Sequence, residues 1–193
     1  NNSHTSFTIA TIHNNLAVID IWNKNYEEAD HYLKSAIKIL GQIYSNEIFE
    51  PYCNKSILHL MRLEYNTAYK YAQNALANCP KTLTLDIVML SVNLIVIRLC
   101  QNNLTIEEAL IELEQLSNRY SLIEDPWYEF QLLYNRKKLA EAIHQKTVPL
   151  NAIHERYISE YCNTKTKFYI LKQFQIQSFQ VKLCLGLSPN WRY

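Results

Sequence analysis

At 193 residues, with 48% apolar and 19% charged side chains, the chain can bury a core, which argues against a disordered segment. Two glycines and five prolines argue against tight-turn folds and phosphate loops, since only glycine takes positive φ freely, and point to helices joined by short polar turns. The net charge of +1, with both signs interspersed, lacks the basic footprint that neutralises several phosphates, so no nucleic-acid partner is expected.

Apolar periodicity predicts helices over 7–23, 26–43, 50–63, 65–78, 83–101, 105–120, 126–145, 149–162 and 164–185. The first carries Leu16-Ala17, and the turn after it opens a second helix at Asn25-Tyr26-Glu27-Glu28-Ala29, continued by Leu33, Ala36 and Gly41. A second copy reads Tyr65-Asn66-Thr67-Ala68, Ala72, Ala75 and Pro80; a third reads Leu104-Thr105-Ile106-Glu107-Glu108-Ala109, Leu113 and Leu116. Small residues (Ala17, Ala29, Ser56, Ala68, Ala109) are expected to let helices approach while Leu16, Leu33 and Leu113 fill the space around them. Asn25 with Glu28, and Thr105 with Glu108, have the spacing of capping boxes. Pro80 ends the second pair, and Asp125-Pro126 has the chemistry of a helix start. The apolar stretch from Leu83 to Cys100 contains Asp86, Asn93 and Arg98, and reads as a buried helix rather than a membrane span.

The chemistry of a catalytic or metal centre is not found. Five cysteines, at 53, 79, 100, 162 and 184, form no CxxC pair and are odd in number, which argues against a disulfide framework or zinc site. A reducing, cytoplasmic setting is expected. The six histidines show no HxxxH or HExxH spacing, and there is no GxGxxG, GxxxxGK[ST] or GxSxG motif. Neither Cys162 with His154 nor Cys53 with His59 is placed as a thiol–imidazole couple, and these residues read as small core positions. Glu27-Glu28 and Glu107-Glu108 are explained by helix starts, and Tyr26, Tyr32, Tyr65, Tyr69 and Tyr71 by packing. No catalytic residue, metal or cofactor is therefore expected.

The repeated arrangement of small and large residues resembles the tetratricopeptide repeat (TPR), over three hairpins from Phe7 to Tyr120 and a weaker fourth from Asp125 to Tyr161. Ala29, Ala68 and Ala109 recur at 39 and 41 residues, longer than the standard repeat of about 34, as in TPR-like sensor regions of bacterial regulators. His13 and Asn93 stand where a bulky apolar residue is usual in the family, and Ile97 where a small one is. The resemblance implies an all-α, right-handed solenoid of antiparallel helix hairpins, occupying 1–162. It further implies a concave groove that binds a protein or peptide, lined by Asn14, Asn54, Arg98, Asn135 and Lys138. Asparagine amides would hold an extended peptide backbone there, and the arginine a carboxylate.

Residues 163–193 are expected to form a long C-terminal helix, with Ile176, Phe179 and Leu183 on one face. This is similar to the end of bacterial TPR sensor proteins, where such a helix feeds an output domain. The alternative is a helix that caps the last hairpin. Leu185-Gly186-Leu187-Ser188-Pro189-Asn190-Trp191-Arg192-Tyr193 is similar to the opening segment of GGDEF diguanylate cyclase domains, with Trp191 replacing an arginine. The chain opens at Asn1 without methionine and stops in an apolar segment, which reads as a piece of something longer. Two readings follow: a sensory domain regulating an attached output domain, with a homodimer expected through the C-terminal helix, or a stand-alone scaffold that binds a protein partner. A third, an all-helical enzyme, would require a perturbed buried carboxylate or histidine in a deep pocket.

Overall fold

A computed structural model of the chain describes residues 2–120, 126–143, 172–176 and 181–185. Their elements are α1 (Asn2–Asn23), α2 (Tyr26–Gln42), a short 3₁₀ turn (Asn46–Ile48), α3 (Phe49–Met61), α4 (Tyr65–Asn78), α5 (Thr84–Cys100), α6 (Ile106–Arg119) and α7 (Pro126–Ala142). Two strands follow, β1 (Lys172–Ile176) and β2 (Val181–Leu185). The seven α-helices agree with the helical reading of the first 143 residues, within a few residues at each end. Among the described residues, no helix is long and apolar enough to cross a membrane.

The chain divides into two compact units at Leu83–Thr84, the first built on α1–α4 and the second on α5–α7 with the strands. The boundary expected at 162/163 lies outside the described residues, as does the helix expected over 149–162.

In the first unit α1 packs on α2, α3 on α4, and both α1 and α2 on α3. Ala29, Leu33, Ala36 and Leu40 form the buried stripe of α2, and Ala68, Ala72 and Ala75 that of α4. Their three- and four-residue spacing places them on one face of each helix, and the alanines permit close approach. Ala17, Ala29, Ser56, Ala68 and Ala109 are all buried, as their small size predicts, but Leu16 faces outward. The central helix α3 is buried along almost its whole length, from Phe49 to Leu60. It therefore takes Glu50, Asn54, Lys55, Ser56 and His59 into the interior with it.

One turn geometry recurs. Lys24, Leu63 and Asn102 close α1, α3 and α5 in the left-handed region, at φ 66°, 63° and 57°. The next amide in each case donates back five residues: Asn25 N to Asp20 O at 2.8 Å, Glu64 N to His59 O at 2.9 Å, and Asn103 N to Arg98 O at 3.0 Å. This is the hydrogen bond of a Schellman motif, which satisfies carbonyls left over at a helix end. These three are 39 apart in both intervals (63 − 24 and 102 − 63), and between the first two Tyr44 closes α2 in the same way, at φ 51° with Ser45 N donating to Leu40 O at 3.0 Å. The 41-residue interval between Ala68 and Ala109 arises because Asn103 and Leu104 extend the third turn before its cap, Thr105.

Caps differ at the second helices. Thr105 and Glu108 form the reciprocal capping box, with Thr105 N donating to Glu108 Oε2 at 2.8 Å and Glu108 N to Thr105 Oγ1 at 3.2 Å. Asn25 does not cap α2. Its Nδ2 turns back to donate to Asp20 Oδ1 at 3.2 Å, a nearer acceptor created by the tight turn.

In the second unit α5 is the buried centre, packed on α6, α7 and β2. Val88, Met89, Leu90, Val92, Ile95, Val96, Ile97 and Leu99 are buried on it, joined by Ile106, Ala109 and Leu113 of α6 and Leu132 and Leu139 of α7. The long helix expected over 164–185 is not formed. β1 and β2 pair antiparallel there, with Phe174 opposite Leu183 and Ile176 opposite Val181. The sequence explains the correction. Phe174 and Ile176 alternate with glutamines, and Val181, Leu183 and Leu185 with Lys182 and Cys184, the two-residue period of a strand.

Candidate functional site

The residues expected to line a groove are mostly spent within the fold. Asn14 of α1 and Asn54 of α3 are buried, and Asn54 Nδ2 donates to Asn14 Oδ1 at 2.8 Å. Asn135 of α7 is buried too. None of these amides projects from the surface, because each lies on the packed side of a central or flanking helix. Arg98 of α5 directs Nη1 to both carboxylate oxygens of Glu112 on α6, at 2.8 and 2.7 Å, so the carboxylate expected from a ligand is supplied internally. Lys138 donates to Glu141 Oε2 at 2.9 Å and lies 5.8 Å from the Tyr134 ring centroid. The Glu141 hydrogen bond holds the Lys138 ammonium above its ordinary pKa. Asn14 and Asn54 belong to the first unit, and Arg98, Asn135 and Lys138 to the second.

A second buried amide pair lies in the other unit. Asn93 of α5 is buried and accepts from Gln131 Nε2 of α7 at 3.3 Å, so each unit joins two of its helices through a buried amide pair. Asn93, a polar residue in a largely apolar helix, is explained by this partner. His13 is explained likewise: its Nδ1 lies 2.9 Å from Ser35 Oγ and its ring 5.5 Å from that of Tyr32.

A charged cluster missed by the sequence reading sits between α2, α3 and α4. Lys55 is buried, and its Nζ lies 2.6 Å from Asp30 Oδ1 and 5.2 Å from the Tyr71 ring centroid. Asp30 Oδ2 also takes Lys34 at 2.5 Å. Burial pushes the Lys55 pKa down, against the opposing pull of Asp30. Burial would raise the Asp30 carboxyl, but hydrogen bonds and charge from Lys34 and Lys55 outweigh it and hold it low. The His59 ring stacks on Tyr71 with centroids 5.2 Å apart, and His59 Nδ1 donates to Glu64 Oε2 at 2.7 Å. An ammonium held by a carboxylate has no free lone pair, so the cluster locks α2 to α3 rather than offering a nucleophile. On α5 burial pushes the Cys100 thiol up to about 12, which suppresses the reactive thiolate. Among the described residues no three His, Cys, Asp or Glu side chains converge as metal ligands would.

The outer face of α1 has a different character. The helix buries Ala10, Asn14, Ala17, Val18 and Ile21 on one side. On the other, Ile9, Ile12, Leu16, Ile19 and Trp22 are between 36% and 51% exposed. Their steps of three and four residues put them in one stripe along the helix. Around them the helix is almost without charge: of its 22 residues, Asp20 is the one drawn from Asp, Glu, Lys and Arg. Scattered exposed apolar residues are ordinary, but a contiguous stripe on a charge-depleted helix is the composition of an interface.

The stripe was hidden in the sequence because α1 is apolar on both sides, so the 3.6-residue period that marks an amphipathic helix largely cancels. The missing charge over 22 residues was the available signal. Of the residues expected on a dimerising helix, Ile176 ends β1 and Leu183 lies within β2, while Phe179 lies outside the described residues. Comparison with protein-family models, curated proteins and solved structures gives no match to this chain.

Proposed function

We propose that this chain is a non-catalytic, protein-binding domain built of TPR-like helix hairpins, serving as the sensory or docking part of a larger signalling protein. The observation that carries the reading is the exposed apolar stripe Ile9-Ile12-Leu16-Ile19-Trp22 on the charge-poor helix α1. A surface of that kind gains by covering itself with another apolar face. The recurrence of one turn geometry at Lys24, Leu63 and Asn102 supports the repeat architecture. The ion-paired state of Lys55, Asp30, Arg98 and Glu112 favours a structural role for the charged groups over catalysis. Binding through α1 replaces the concave groove as the favoured mode, since the groove amides are buried.

The test is to pan a library of amphipathic helical peptides against the full chain and measure affinities by calorimetry. The expected result is binding that is lost when Ile12 is changed to lysine; peptides that bind the wild type and the variant equally would refute the docking role of α1. Reading the coding sequence beyond Tyr193 tests the sensory part. A following GGDEF or other output domain supports it, and a stop codon directs attention to a stand-alone scaffold.

A further inference from the structure

We infer that the partner of the α1 stripe is a second copy of this chain, docked antiparallel so that the two α1 helices form a symmetric pair. The inference rests on the reading of α1 as a protein-binding face and names its occupant.

The sequence of the stripe is self-complementary under a two-fold axis. Ile9, Ile12, Leu16 and Ile19 alternate steps of three and four, the a and d positions of two heptads. Laid antiparallel about a centre level with residue 14, Ile9 of one copy meets Ile19 of the other, and Ile12 meets Leu16. The next positions outward, Thr5 and Asn23, then meet each other, so four apolar layers are closed by a polar one at each end. A two-fold interface requires just this: each patch must match itself when reversed.

Charge favours the same direction. Parallel docking brings the two Asp20 carboxylates to one level, whereas antiparallel docking moves them to opposite ends, near Thr8 of the other copy. The two helix dipoles also oppose one another in that arrangement.

The area is adequate. Five side chains at these exposures present on the order of 400 Å² of apolar surface, comparable to the largest patch on an ordinary monomer. Two facing stripes bury about twice that, and a rim including Thr5, Thr8, Asn15 and Asn23 brings the total toward the 1,200 Å² or so at which specific interfaces begin.

The experiment is sedimentation of the full chain over a concentration series, with Ile12→Lys, Leu16→Glu and their equimolar mixture. The wild type is expected to be a dimer at micromolar concentration. Each variant alone is expected to weaken it by more than about a hundredfold, since an unpaired charge is buried at the seam. The mixture is expected to dimerise again, because the antiparallel register sets the introduced lysine against the introduced glutamate. Both positions are exposed, so circular dichroism of the variants should match the wild type. The milder pair Ile9→Ser and Ile19→Ser gives the same loss if either charged variant misfolds. A wild-type chain that stays monomeric throughout overturns the inference; if it still binds helical peptides through α1, the protein-binding reading survives without it. Dimers that persist in both variants overturn it by placing the seam elsewhere. Variants that fail to reassociate on mixing overturn the antiparallel pairing.

Discussion

Asn54 donates to Asn14 at 2.8 Å in the buried interior of the first unit, joining α3 to α1. A buried amide is expensive without its partner and modest with it, so the pair contributes more to specificity of packing than to net stability. Asn14→Ala is expected to lower the unfolding free energy by about 2 kcal/mol by stranding part of the Asn54 amide. Replacing both asparagines with leucine should recover a good part of that loss. A double-mutant cycle in urea measures the coupling, and additive single effects would show the pair to be uncoupled.

The turn at Leu63 gives a prediction of opposite sign. Leu63 is 54% exposed and sits at φ 63°, a conformation that an L-residue with a branched apolar side chain adopts at a penalty of about 1 kcal/mol. Leu63→Gly is expected to raise the melting temperature by a few degrees, since the strain relieved exceeds the glycine's extra unfolded-state entropy. Asn102→Gly, at φ 57°, should gain less, because asparagine already tolerates this region. Equal gains at the two sites would argue that strain is not the cause.

Much of the helical frame was legible from periodicity, because α2 and α4 bury only one stripe each and their alanines recur with the repeat. The 39-residue turn spacing was visible only as approximate alanine spacing, since Lys24, Leu63 and Asn102 share a backbone conformation and no side-chain chemistry. Burial of the groove amides was not legible. An asparagine reads alike whether it faces water or another asparagine, and only the packing of α1 on α3 decides. The C-terminal segment went wrong through a clash of periods: Ile176, Phe179 and Leu183 fit a helix, while Phe174-Ile176 and Val181-Leu183-Leu185 fit strands. The aromatic Phe174 and the β-branched Ile176 and Val181 favour a strand, and pairing of the two segments wins over the helix propensity of the glutamines.

The two expected capping boxes separate cleanly in the structure, and mutation should reproduce the separation. Thr105→Ala removes the acceptor for Glu108 N and is expected to reduce stability by about 1 kcal/mol. Asn25→Ala removes only an exposed contact to Asp20 and should change stability by less than about 0.5 kcal/mol. Comparable losses at the two positions, measured by thermal unfolding, would mean that Asn25 does cap α2 in solution.

The Asp30–Lys55 pair is expected to contribute to the acid limit of the first unit. Asp30 is held below its ordinary value of 3.8 by Lys34 and Lys55 despite its burial. A depressed carboxyl contributes stability that is fully present above the ordinary value and is lost as pH falls through the lowered one. Stability of the wild type should therefore drop with acidification below about pH 4, and Asp30→Asn should flatten that limb. At neutral pH Asp30→Asn leaves a buried ammonium without its counter-charge, for a loss of about 3 kcal/mol. Lys55→Met removes the charge and keeps the length of the side chain, so the burial penalty disappears with the ion pair. Its expected effect is within about 1 kcal/mol of neutral, and it leaves Asp30 paired with Lys34 at the surface. Urea unfolding from pH 3 to pH 7 on the three proteins decides the matter. If Lys55→Met is as damaging as Asp30→Asn, the ion pair itself carries the stability and the stranded charge does not.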